Sequence, residues 1–238
     1  MSLNKFFVCF MFLSVFFQQV SANSKIDNNK TVSFPKNGIR ELKVSTPKGK
    51  IEVIFDSKAR DFKVSINQLS NTQSKDEKKC IIETGIKGES LIISISSENI
   101  LFDKATCDYD VKVIAPTASL MQTNINSGTA DIKVLQADND LSIKTASGNV
   151  NVDTQSLKNF SFTSATGAFL GKFKSCSSRA DFDLITATGK MELFLPKNCA
   201  LRVDFKSATG KLFNSIGESK DFLLKINGKS ASGDLSIL

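Results

Sequence analysis

Five times in this chain an alternation of apolar residues runs into Ser/Thr-Ala-Ser/Thr-Gly and then resumes with its parity reversed. Before Gly148 the apolar positions are Leu141 and Ile143; after it they are Val150 and Val152. The same slip occurs at Gly167, Gly189 and Gly210. A strand sends successive side chains to opposite faces, so a flat strand would bury one of these sets and expose the other. A strand that bends at the glycine returns both sets to one interior. The motif therefore predicts a structural corner. Glycine supplies a positive-φ or bulged conformation there, the alanine points into the narrow inside of the bend, and the hydroxyls cap backbone groups or bond to equivalents one coil away.

The corners recur. Taking Gly128, Gly148, Gly167, Gly189, Gly210 and Gly233 as origins, the intervals run from 19 to 23 residues. Seven before the glycine stand Met121, Leu141, Phe160, Phe182, Val203 and Ile226; two after it stand Ala130, Val150, Phe169, Met191, Leu212 and Leu235. A two-residue insertion in the last unit would move Leu224 and Ile226 into its apolar slots. Two short strands per unit cannot close a core alone, but stacked units can. The expected fold is all-β: a β-solenoid or β-helix-like stack of coils of roughly 21 residues, preceded by an irregular β part. An antiparallel sandwich or meander is the competing fold, since its strands also recur at short spacing.

Residues 32–118 form that irregular part and 119–238 the tandem repeats, as one continuous domain. "ELKVSTPKGKIEVIF" (41–55) reads as an outlying coil with its corner at Gly49 and Pro47 in the alanine slot. Segments 61–67, 79–86, 90–96 and 109–116 read as strands, and 68–79 as a polar loop. No segment carries a helical period. Residues 1–22 have the order of a secretory signal: Lys5, an apolar core from Phe6 to Phe17, and small residues ending at Ala22. Residues 23–31 are expected to be flexible.

Beyond the signal, Cys80, Cys107, Cys176 and Cys199 remain, an even number that suits disulfides in an exported protein. Four cysteines allow three connectivities. The interval from Cys176 to Cys199 is close to one coil, which favours that pair, with Cys80 and Cys107 closing the N-terminal part. The chain has no histidine and no Cys-x-x-Cys, so neither a zinc site nor a thioredoxin-like centre is expected.

The formal net charge is +7, but the lysines are scattered, which argues against nucleic acid as a partner. The repeated serines lack the usual histidine base. The nearest Ser-Lys pairs, Lys144 with Ser147 and Lys206 with Ser207, belong to a repeated pattern and not to a unique centre. No phosphate loop and no Gly-x-Asp calcium pattern is present. The strongest acid group is Asp183, Glu192 and Asp204, where stacking could bring Asp183 and Asp204 together for carbohydrate chemistry. Most phenylalanines of the repeats fall on the inward parity, with Phe194 outward.

With the repeats laid out, the chain resembles a bacterial adhesin-like domain family of unknown function. The resemblance rests on "VKVIAP" (111–116) followed by "NSGTADIKV", "TASGNVNV", "SATGAFLGKF", "TATGKMELFLP", "SATGKLFN" and "SASGDLSIL". It covers roughly residues 32–238, and departs from the family pattern in having aspartate after the corner glycine only at Asp234 and in carrying the four cysteines. It implies an extracytoplasmic protein with a β-solenoid-like body, and it carries over no catalytic residue.

The expected function is a non-enzymatic, exported contact or scaffold protein of the periplasm, cell surface or medium. Its partner would be an envelope component, a host or its own copies, with no cofactor. A carbohydrate-processing β-helix is the alternative, and a salt-sensitive binder of anionic polymers is a third. "GDLSIL" finishes in mid-strand, which predicts an open edge on the C-terminal coil, shielded by N-terminal strands or by self-association.

Overall fold

The computed structural model describes residues 30–69, 80–97, 107–117, 120–176 and 179–238. The expected signal peptide, residues 23–29 and the polar stretch 70–79 lie outside the described residues. Among the described residues there is no helix, and the strands form one ten-stranded and one nine-stranded sheet.

The N-terminal part contributes β1 (Lys30–Pro35), β2 (Glu41–Thr46), β3 (Lys48–Asp56), β4 (Asp61–Gln68), β5 (Cys80–Lys87), β6 (Ser90–Ser97) and β7 (Asp108–Pro116). The repeats follow in pairs: β8 (Gln122–Ser127) with β9 (Asp131–Leu135), β10 (Asp140–Thr145) with β11 (Val150–Thr154), and β12 (Asn159–Ser164) with β13 (Phe169–Phe173). Then come β14 (Ala180–Thr186) with β15 (Met191–Phe194), β16 (Leu201–Ser207) with β17 (Leu212–Asn214), and β18 (Leu224–Ser230) with β19 (Leu235–Ile237). Strand β1, which the sequence reading leaves within a flexible segment and its boundary, starts at Lys30 and pairs antiparallel with β4.

Each repeat sends its first strand to the nine-stranded sheet and its second to the ten-stranded sheet, and neighbouring repeats pair in parallel. The pairs β2/β3 and β6/β7 behave the same way. The inward side chains of both sheets form one core, with Ile143, Phe162, Leu184 and Ile226 on one side and Val152, Phe169, Leu193 and Ile237 on the other, all buried. The rings of Phe160, Phe162, Phe169, Phe173 and Phe182 form a cluster across the two sheets, with centroid separations from 4.8 to 6.1 Å. Each such ring removed from water stabilises the fold by about 1.5–3 kcal/mol before the ordering cost. Gly171 makes room for them: a Cβ there would lie 2.6 Å from Phe173 and 2.8 Å from Phe169.

The stacking order departs from chain order at both ends. Along the nine-stranded sheet the first strands run β6-β2-β8-β10-β12-β14-β18-β16, and the second strands follow the same sequence of repeats in the other sheet. The pair β2/β3 is thus interior, not outlying: it lies between β6/β7 and β8/β9. At the far end the final pair β18/β19 inserts between β14/β15 and β16/β17. The expected open C-terminal coil is corrected accordingly: β18 is paired on both sides, and among the described strands the outermost at this end are β16 and β17. Antiparallel strands β1, β4 and β5 lie at the opposite end of the stack and do not shield this one.

Register corrects two columns. Thr123 pairs with Leu141 and Ser127 with Thr145, which puts Ala130, not Gly128, in the corner slot of the first repeat; Met121 is 66% exposed. In the last repeat Ile226 pairs with Phe182 and Gly228 with Leu184, so no insertion is present. The volume missing at Gly228 is taken by the ring of Phe205, whose Cδ2 lies 2.7 Å from where a Cβ would stand. Both disulfides have the favoured pairing, Cys80 with Cys107 and Cys176 with Cys199, at Cα separations of 5.8 and 5.5 Å.

Candidate contact surfaces and the corners that build them

The corner glycines of the repeats are required by close approach, not by handedness. None of Gly128, Gly148, Gly167, Gly189, Gly210 and Gly233 has positive φ, one of the two expected conformations, whereas Gly49, the corner of the 41–55 unit, has φ 109°. A Cβ on Gly167 would lie 2.2 Å from the carbonyl oxygen of Gly148, one on Gly189 2.0 Å from that of Gly167, and one on Gly233 2.1 Å from that of Gly189. Gly210 meets Gly233 in the same way at 2.2 Å. Each corner therefore seats its neighbour's backbone where a side chain would begin.

The inward residue at the corner is the hydroxyl, and the alanine faces solvent, the reverse of the expectation. Thr145, Ser164 and Thr186 are buried while Ala146, Ala165 and Ala187 are exposed. Each hydroxyl accepts the N–H of the glycine three residues on: Thr145 from Gly148 at 3.1 Å, Ser164 from Gly167 at 2.7 Å, Thr186 from Gly189 at 2.9 Å. Ser207 and Ser230 do the same for Gly210 and Gly233. A buried amide left without a partner is costly, and alanine could not satisfy it. The alanines instead link repeats through their backbones, Ala165 to Ala146, Ala187 to Ala165, Ala231 to Ala187 and Ala208 to Ala231, each at 3.1 Å. The repeated Ser/Thr residues are thus committed to the backbone of the corner.

With the corners closed, what remains for function is the outward parity. On the nine-stranded sheet one column reads Lys43, Asn124, Ser142, Ser161, Asp183, Asn227, Asp204 across successive strands. Asp183 and Asp204 are separated by Asn227, whose amide donates to Asp183 at 2.9 Å. Two strand spacings amount to about 10 Å. Glu192 lies on β15 in the other sheet, so the three acids named from sequence do not converge.

Near the β6 end, Glu41 accepts from Ser90 at 2.5 Å and Asn124 at 2.8 Å, and pairs with Lys43 at 2.8 Å. These partners, Lys43 foremost, hold its carboxyl below the ordinary glutamate range. A shallow trough of about 320 Å³ lies beside it, lined by Lys43, Asn124, Asn126 and Lys144.

The ten-stranded sheet has the counterpart. Glu52 lies between Lys112 at 3.0 Å and Lys133 at 3.4 Å, one on each neighbouring strand. The hydrogen bond from Lys112 leads the causes that lower its pKa, against the opposing effect of burial. A trough of about 300 Å³ continues from Lys133 over Asn151 and Leu170 to Lys190 and Glu192. Further along, Phe194 is 40% exposed on this face, as expected, with Lys172 6.0 Å from its ring centre. Sequence reasoning missed both troughs, since each takes its lining from several strands.

These features define a disulfide-bonded, all-β protein of two sheets with extended polar faces. The chain belongs to the Toastrack DUF4097 family, whose profile matches residues 2–237. It is similar in structure to a "putative cell adhesion protein" from Clostridium sporogenes, with a TM-score of 0.52 and 12% identity over 88% of this chain and 98% of that one. A "putative adhesin" from Bacteroides fragilis aligns with a TM-score of 0.45 and 14% identity, covering 90% and 98%. A "putative lipid binding protein" from Parabacteroides distasonis aligns with a TM-score of 0.43 and 15% identity, covering 87% and 96%. A search of curated proteins gives no match. At these identities the likeness is one of fold. The two disulfides suit an oxidising, extracytoplasmic compartment.

Proposed function

We propose that the chain is an exported, non-enzymatic contact protein whose body is a β-solenoid and whose outward faces bind an envelope or host component. The observation that carries this reading is the long outward column on each sheet, mostly polar: Lys43 to Asp204 on the nine-stranded sheet, and Lys112, Glu52, Lys133, Asn151, Leu170 and Glu192 on the ten-stranded one. The name given to the Clostridium sporogenes protein, whose fold is similar, accords with an adhesive role. The two disulfides accord with export, since such bonds persist in oxidising compartments.

The trough around Leu170, flanked by Lys50, Lys133 and Lys190, is the surface of choice for a polymer bearing both apolar and anionic groups. The test is retention of the chain on immobilised envelope polysaccharide at low and raised salt, beside the triple variant Lys50→Glu, Lys133→Glu, Lys190→Glu. Salt-sensitive retention that the triple variant loses is expected; equal retention of both proteins would sink the assignment of the face. Product release from the same polysaccharide, abolished by Asp183→Asn, Glu192→Gln and Asp204→Asn together, would overturn the non-enzymatic reading.

A further inference from the structure

The two ends of the stack differ. At one end β1, β4 and β5 pair antiparallel to their neighbours and finish the sheets. At the other, β16 and β17 are the last strands, and no described strand pairs with their outer edges. The inward residues there are less covered than their counterparts elsewhere: Val203 and Phe205 are only part-buried, and Leu212 is 41% exposed. Leu212 is in register with Leu235, Met191 and Phe169, and Phe205 with Gly228, Leu184 and Phe162. They are therefore the last members of the two columns that meet in the Phe162–Phe169 stack.

Backbone direction shows which groups of β16 face outward. The carbonyl of Ala200 accepts from Leu224 on the β18 side, whereas the carbonyl of Leu201 accepts from Ser219, in the loop that crosses the end of the stack, at 2.9 Å. Alternation then turns the N–H and C=O groups of Val203, Phe205 and Ser207 to the open edge. Along the outward side chains of the same strand the charge alternates: Arg202, Asp204, Lys206.

We propose that this edge pairs antiparallel with β16 of a second copy, with Phe205 on the two-fold axis. With the two-fold axis on any residue from Arg202 to Lys206, outward-pointing backbone groups fall opposite one another, and four of these five registers fail. Centring on Arg202 or on Lys206 sets that cation against itself. Centring on Asp204 sets Asp204 against itself and Arg202 against Lys206, like charges directly opposed. Centring on Val203 needs the Leu201 carbonyl, which already holds Ser219. Centring on Phe205 sets Val203 against Ser207 and Phe205 against Phe205, each pair exchanging two N–H···O=C bonds. It also sets Asp204 of each copy against Lys206 of the other. The apolar end formed by Val203, Phe205 and Leu212 is then covered, and the interface is isologous, as two-fold symmetry requires.

The experiment is sedimentation velocity on the full chain over a concentration series, with circular dichroism to verify folding. Reversible dimerisation is expected. Asp204→Lys and Lys206→Asp should each weaken it by about tenfold or more through like-charge opposition. Their combination in one chain should restore it, and an equimolar mixture of the two single variants should form heterodimers. Arg202→Glu should leave it unchanged, and amide exchange at Val203, Phe205 and Ser207 should slow on dimerisation. A monomer at every concentration, a dimer indifferent to both reversals, a mixture that stays monomeric, or a dimer broken by Arg202→Glu would each overturn the proposal. None of these readouts involves the troughs, so this inference and the contact-protein reading fail separately.

Discussion

The carbonyl oxygen of Gly167 lies 2.0 Å from the point where a Cβ on Gly189 would stand. Two repeats therefore touch backbone to backbone at the corner, and the whole line of corners inherits that spacing. Gly189→Ala must push two strands apart or break the hydrogen bonds beside them, a change of the overpacking class that costs about 1–3 kcal/mol or more. Gly85 supplies the control, being a strand glycine without positive φ and with nothing within 4 Å of a Cβ. Urea midpoints should fall clearly for Gly189→Ala and stay near wild type for Gly85→Ala; equal effects would refute the close-approach account.

Thr186 separates the polar from the steric role of the corner. Its buried hydroxyl accepts the Gly189 amide, and Ser164 does the same work for Gly167. Thr186→Ser should be nearly neutral. Thr186→Val keeps the shape but leaves the amide unpaired in the core, at a cost of about 1–3 kcal/mol. Chemical denaturation measures both, and a harmless valine would show that the hydroxyl is dispensable.

Glu52 gives a pH signature. Its folded pKa is lowered from the ordinary 4.5 by Lys112 first and Lys133 after. Because the folded value is the lower one, the unfolded chain takes up the proton first as pH falls. The stabilisation is thus fully present above about 4.5 and disappears as pH drops through the folded value. The difference in Tm between wild type and Glu52→Gln should be present at neutral pH and should shrink below that value. A difference that grows on acidification would have the wrong sign.

The bond between Cys176 and Cys199 closes a loop with a sequence separation of 23 residues. Replacing both cysteines with serine should cost about 3 kcal/mol in the chain-entropy account. Equilibrium unfolding of the oxidised double variant, which keeps Cys80–Cys107, should show that loss relative to the oxidised wild type. Agreement between the variant and the oxidised wild type instead would mean that the bond adds nothing.

The corner was legible in the sequence because it imposes a local rule: the parity slip at Gly148 or Gly189 is visible without knowing any neighbour. What the glycine is for was not, since the atom it avoids belongs to another repeat. Stacking order was hidden for the same reason. Val203 and Phe205 carry the inward parity as well as Ile226 does, and either unit would sit on β14. Two traces were present nonetheless. Gly228 leaves a hole that only a large neighbour such as Phe205 fills, and the longest interval, 23 residues, precedes Gly233. The outward faces followed from parity, but the distance between Asp183 and Asp204 depends on the insertion of β18 and so could not be read. Strand β1 escaped notice because its "KTVSFP" buries neither side fully.

The position of β18/β19 between β14/β15 and β16/β17 makes it a keystone in time as well as in space. During synthesis the chain delivers β16 and β17 before the strands they rest on in the finished fold, β18 and β19. The mirror arrangement at the other end makes β8 dock on the earliest pair, past the later one. Such a body can be lengthened by duplicating a repeat between β8 and β15, where chain order and stacking order agree. A repeat added after β19 would have no free edge of β18 or β19 to join.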